Sequence, residues 1–168
     1  MNTVFSGSVA RRQFILVTGI GLIGTLAGCK TADIFPADGD TARAETDAAL
    51  PLVNDLRAKK GLLTLGKNPA AEAAALAQAK RMARAGEMSH LIGFNDDFLG
   101  RMKKMDVPLP AAENIAAGQD DVADAVDAWI RSEKHLHNML GEYRGLGVAV
   151  ANDPSSANRP YWAMVLAG

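Results

Sequence analysis

The chain has 168 residues, 48% hydrophobic and 22% charged, which excludes a disordered chain and leaves room for a core of ordinary size. Its formal net charge is −1, and no basic stripe interleaved with aromatics runs through it, so nucleic acid is not an expected partner. It has a single cysteine, which excludes an intrachain disulfide.

Residues 1–28 read as an address. Arg11-Arg12 precedes an apolar, uncharged run over 14–27, too short to span a membrane comfortably, and Leu26-Ala27-Gly28-Cys29 closes it. These four residues look like a bacterial lipobox, in which Cys29 is acylated and becomes the mature N-terminus. Arg11-Arg12-Gln13-Phe14-Ile15 also resembles a twin-arginine export signal, with Ala10 where Ser or Thr is usual. The same run contains Gly19-Ile20-Gly21-Leu22-Ile23-Gly24, a G-x-G-x-x-G string. A dinucleotide site needs a helix opening at those glycines, whereas Gly28, Pro36 and Gly39 follow, so the string reads as signal core. Removing the two arginines of residues 1–28 from a net charge of −1 leaves −3 on the rest. Residues 29–45 hold Pro, Gly, Asp and Thr with no sustained apolar period and read as a tether.

The domain proper is expected over 46–168. A first helix is predicted over 48–60, with Ala49, Val53 and Leu56 as its apolar stripe, Gly61 as its stop and Pro51 confined to the first turn. Asn68-Pro69 opens a second helix that Gly86 closes; Leu76, Ala79, Met82 and Ala83 keep helical spacing along it. Asn95 or Asp96 is expected to cap a third helix through Met105, with Phe98, Leu99 and Met102 inward. Asn114-Ile115 reads as a short extended segment. Asp120 or Asp121 opens a fourth helix whose apolar face is Val122, Val126, Trp129 and Ile130, and Ser132 is expected to cap a fifth through Leu140. The period then changes from helical to two-residue. Residues 145–151 and 160–167 read as paired strands, and both faces of the second are apolar, so helices should cover the sheet on both sides. Helices first and antiparallel strands last define an α+β fold.

The chemistry concentrates in a few segments. They are Met88-Ser89-His90, Ala112-Glu113-Asn114-Ile115, and Trp129-x-x-Ser132-x-x-His135-x-x-Asn138-Met139-Leu140. Together with Asn54-x-x-Arg57 and Gly61 before them and Gly147-Val148-Ala149 and Tyr161-Trp162 after them, an order that matches the family's, they resemble the CAP superfamily. This is the SCP-like group of cysteine-rich secretory, antigen 5 and pathogenesis-related proteins, and the chain is most similar to its disulfide-free bacterial members. The resemblance implies an α-β-α sandwich with a central antiparallel sheet flanked by helices, and an open cleft that in many members carries two histidines and two acids, sometimes with a divalent metal.

By motif, His90 and His135 match the histidines and Glu113 the acid of the Glu-Asn pair, while Ser132 stands where the second acid is common. Glu133 does not replace it, because one residue along a helix turns a side chain by about 100°. Two imidazoles and a carboxylate make a sensible zinc set with a position left for water, so His90, His135 and Glu113 are the metal candidates and Glu113 the catalytic candidate. The plainer reading has Glu113 accepting hydrogen bonds from backbone amides or Arg144, with the histidines donating to nearby carbonyls. His137, two residues from His135, is expected to be exposed on another face.

The expectation is a cell-envelope protein, lipid-anchored to the membrane through Cys29 and facing the periplasm or the outside. It would bind a lipid, a small envelope molecule or a protein partner in the cleft formed by His90, Glu113, Ser132 and His135. A metal-assisted hydrolase of envelope peptide or glycan is the alternative, and a structural adhesion module a third.

Overall fold

In the computed structural model, residues 41–168 are described. The signal segment with its twin arginines and G-x-G-x-x-G string, the lipidation site Cys29 and the tether as far as residue 40 lie outside the described residues. Ten elements follow in order: β1 (Thr41–Ala44), α1 (Thr46–Lys59), β2 (Gly66–Lys67), α2 (Pro69–Ala85), α3 (Phe98–Lys104), β3 (Ala111–Ala117), α4 (Val122–Ile130), α5 (Glu133–Met139), β4 (Gly145–Asn152) and β5 (Tyr161–Ala167). A single 3-10 turn, Pro154–Ser156, sits in the loop between β4 and β5. Among the described residues no helix is long and apolar enough to cross a membrane.

The sheet runs β1-β4-β5-β3, antiparallel throughout, with two-residue β2 added in parallel beside β4. Alternation along its strands sorts the core into two layers. Leu146, Val148, Val150, Trp162, Met164 and Leu166 face α1 and α4, where they meet Val53, Val126 and Trp129. Ala149, Ala163, Val165 and Ile115 face α2 and α3, where they meet Ala75, Ala79, Met82 and Met102. Every residue of β5 is buried, as a central strand covered on both faces requires. The expected α-β-α sandwich is therefore the fold.

Helix α2 lies so close to β4 because its sheet-facing side is alanine: Ala71, Ala74, Ala75, Ala79 and Ala83 are all buried. Asn68 caps it, its side chain accepting from the Ala71 amide at 2.9 Å, and Gly86 ends it in the left-handed conformation at φ 66°.

The elements depart from expectation at four points. Residues 41–44, assigned to the tether, form edge strand β1, whose four residues pair with Ala149–Asn152 and are too few to show a period. The first helix begins two residues earlier, at Thr46, so Pro51 sits in its second turn. That start is fixed by tertiary contact, because the Thr46 hydroxyl accepts from the Val148 amide at 2.9 Å and so extends the β1 ladder. Asp97, not Asn95 or Asp96, caps α3, and with that frame Leu99 is 52% exposed while Met102 is buried. Finally, Asn114-Ile115 lies within a full seven-residue strand, β3.

Candidate functional site

Strand β3 is the edge of the sheet beside β5, and its neighbouring residues Glu113 and Asn114 point to opposite faces. Everything in the site follows from this. Glu113 shares the face of Ile115, toward α2 and α3, and meets groups from those elements; Asn114 meets α5.

On the first face, the Glu113 side chain is 2% exposed and pairs with Arg101 of α3 through both oxygens. Arg101 Nη1 donates to Oε2 at 3.0 Å and Nη2 to Oε1 at 3.1 Å, the two-point geometry that a guanidinium fork makes with a carboxylate. His90, in the loop after α2, places Nδ1 2.9 Å from Glu113 Oε1; a carboxylate only accepts here, so Nδ1 carries the proton. The His90 backbone is held from two helices. Its carbonyl accepts from Arg101 Nη2 at 2.9 Å, and the neighbouring Ser89 carbonyl accepts from fully buried Gln78 of α2 at 2.7 Å.

Asp96 completes the network. It accepts from Arg81 and from the Ile92 amide, and its Oδ1 lies 3.3 Å from Arg101 Nε. Burial pushes its carboxyl up, yet the Arg81 and Ile92 hydrogen bonds, together with the charges of Arg81 and Arg101, hold it below the usual carboxylate range.

On the opposite face, Asn114 is fully buried. Its amide donates to the His135 carbonyl at 3.0 Å, and its oxygen accepts from Asn138 at 2.9 Å. This pair fixes α5 against the strand and so positions His135. Trp129 of α4 donates to the Ile115 carbonyl at 3.0 Å and is wholly buried, as expected of a core residue, and it satisfies an acceptor on the outer edge of β3. The resulting cleft wraps the strand edge. Its volume is about 610 Å³, and His90, Glu113, Glu133, Lys134, His135, His137 and Asn138 line it.

Two of the candidate residues fall elsewhere. Ser132 occupies the N-cap position of α5 without a capping hydrogen bond, and it lines a neighbouring cavity of about 270 Å³ beside Trp129, which His135 also touches. Arg144 is not the partner of Glu113; it lines a separate cavity with Arg57 and Tyr143. Arg101 takes that place. His137 is exposed as expected, but it does reach the cleft.

The donor set does not fit the expected zinc site. Both Glu113 oxygens are engaged by a guanidinium, and His90 already spends Nδ1 on one of them. No group of three His, Cys, Asp or Glu side chains among the described residues is placed to hold a metal. None of the cleft-lining residues is a Ser, Thr or Cys that could serve as a nucleophile. What remains is a polar recess with three imidazoles.

Burial, and then the charge that nearby His90 carries when protonated, hold the His135 imidazole below its usual 6.5. Because the folded value is depressed, His135 contributes fully to stability above pH 6.5, and that contribution is lost as pH falls below 6.5 through the folded value. We expect the His135 ring protons, followed by NMR, to titrate below 6.5 in the native chain and at higher pH in His90→Ala. An unchanged midpoint in that variant would refute the coupling.

In class, this is a three-layer α-β-α domain with a polar cleft folded round one edge strand. Residues 50–166 match the CAP family, described as the cysteine-rich secretory protein family, and the chain belongs to it. No curated protein matches the chain. Among solved structures it resembles an extracellular SCP-domain protein from Bacillus anthracis, with 25% identity and a TM-score of 0.63 over 73% of this chain and 40% of that one. It also resembles an outer surface protein from Borrelia burgdorferi, at 18% identity and a TM-score of 0.62 over 72% of this chain and 90% of that one. A cysteine-rich secretory protein from Staphylococcus aureus follows, at 20% identity and a TM-score of 0.56 over 73% and 38%. The chain thus spans less than half the length of the Bacillus and Staphylococcus proteins. At 18% and 20% identity, the latter two likenesses concern the fold alone.

Proposed function

We propose that this chain is a cell-envelope lipoprotein, anchored through acylated Cys29, whose CAP domain binds a ligand in the cleft of His90, Glu113 and His135 without turning it over. The observation that carries the binding role is the state of Glu113. A general base needs a free carboxylate facing the substrate, and this one is buried and shared between Arg101 and His90. Every residue lining the cleft carries a polar or charged group, with Lys134, Glu133 and Asn138 beside the imidazoles. These walls suit a small polar envelope molecule or a peptide segment of a protein partner better than an acyl chain. The hydrolase alternative has no fitting donor set and no lining nucleophile in its support. The envelope location draws on the lipobox frame of Cys29 and on the extracellular character of the Bacillus protein.

Two measurements test this reading. Radiolabelled palmitate should enter the protein in cells and be absent from Cys29→Ser; equal labelling of the variant would overturn the anchor. Soluble muropeptides and short-chain phospholipid, titrated separately against the chain, should shift the His135 and His137 ring signals for the polar ligand first. Saturable shifts with phospholipid alone would reverse the choice of ligand, and release of a cleaved product would overturn the binding role.

A further inference from the structure

Arg101 is held as a ligand would be, not as a surface arginine. Its guanidinium lies among both oxygens of Glu113, the His90 carbonyl and Oδ1 of Asp96, at 3.0, 3.1, 2.9 and 3.3 Å, and its side chain is 15% exposed. The Phe98 ring lies beneath it, 5.6 Å from its centroid. Two carboxylates and a carbonyl converging on one point form the oxygen nest that hard cations take, and an imidazole adjoins it. Each oxygen donor is itself fixed: Asp96 by Arg81 and the Ile92 amide, the loop carrying His90 by Gln78.

We propose that Arg101 is the resident cation of this cleft, and that its guanidinium fills the place beside Glu113 and His90 at which a divalent metal would otherwise be held. The charge of Glu113 is then neutralised by the chain itself, and the site is complete without an exogenous ion. A metal could enter only by expelling a like charge that is pinned by three hydrogen-bond acceptors and the Asp96 carboxylate. Removing the guanidinium leaves a buried carboxylate with one imidazole, which should destabilise the domain until another cation takes the vacated place. This inference is independent of which envelope ligand the cleft binds.

The test uses the full chain in detergent with Cys29→Ser, so that the only thiol cannot take metal. Thermal melting is followed with zinc chloride, calcium chloride or methylguanidinium added separately. Without Arg101→Gln, the melting temperature should not respond to these millimolar-range additions. In Arg101→Gln it should fall, and at least one added cation should raise it back toward the parent value; Glu113→Gln combined with Arg101→Gln should abolish that recovery. Arg101→Lys, which keeps the charge, should melt between the two and ignore metal. A folded Arg101→Gln variant indifferent to every cation would overturn the proposal. So would stoichiometric zinc binding by the parent chain that disappears in Glu113→Gln. The second outcome needs only the parent chain and Glu113→Gln, so the proposal stays decidable if Arg101→Gln does not fold.

Discussion

Gly147→Ala is expected to cost about 3 kcal/mol, the upper end for forcing one methyl group into a packed core. A Cβ built at Gly147 would lie 2.1 Å from the Glu72 nitrogen and 2.2 and 2.5 Å from the Ala71 carbonyl carbon and oxygen. All three are backbone atoms in the first turn of α2, so no side-chain rotation relieves the clash. Nor can the helix simply retreat. The Asn68 amide donates to the Leu146 carbonyl at 3.0 Å, and the alanine face beyond it is buried against β4 and β5. Relief therefore requires moving a helix that also carries Gln78 and Arg81, the supports of the His90 loop. Urea unfolding of the variant beside the native chain measures the cost, and a loss below about 1 kcal/mol would mean that α2 is less firmly seated than described.

Arg57→Met should be comparably severe, at about 3 kcal/mol or more, for an electrostatic reason. Arg57 is 2% exposed and has no carboxylate partner among the described residues. Its Nε donates to the Leu63 carbonyl at 2.8 Å, and Nη1 to the carbonyls of Met139 and Gly141 at 2.8 and 2.9 Å. The Met139 carbonyl is the last of α5, where the final carbonyls lack helical partners and carry the negative end of the helix dipole, and Gly141 follows two residues beyond. Burial lowers the Arg57 pKa, so the charge is kept in place by those carbonyls alone. Methionine keeps the length of the side chain and orphans the Leu63 and Met139 carbonyls, while that of Gly141 keeps the Tyr143 amide. The loss should appear in urea unfolding and as faster amide exchange around Leu140–Gly141, and Arg57→Lys should recover little of it because an ammonium lacks the fork. A variant within about 1 kcal/mol of the native chain would show that water serves these carbonyls as well.

The layers of this fold were legible because periodicity reports burial directly. The two-sided apolar run of β5 and the alanine-rich stretch between Asn68 and Gly86 each have one plausible use, and both were found in it. The resemblance of the Ala112–Ile115 and Trp129–Leu140 motifs located the cleft in the same way. What escaped was the identity of charged partners. Arg144 and Arg101 are equally plausible partners for Glu113 on composition, and only the fold brings Arg101 to it. One clue was present: Arg101 lies three residues after Phe98, on a side of α3 that turns inward, and an inward arginine calls for an acid. The separation of Ser132 from Glu113 was likewise invisible, since it depends on how α5 is hung from Asn114. Strand β1 is too short to announce itself, and its existence depends on the free edge of β4.

That strand has a mechanical meaning. The segments that build the cleft hang on β3, at one margin of the sheet, whereas the chain enters at the other margin through β1, with β4 and β5 between them. A pull on the residues before Thr41 is taken up first by the short zipper from Thr41–Asn152 to Ala44–Ala149 and by the Thr46–Val148 contact behind it. Under tension these rungs act as a fuse. They can open while the strand that carries Glu113 and Asn114 stays paired along its whole length with β5, so the recess keeps its shape under a load that frays the point of entry.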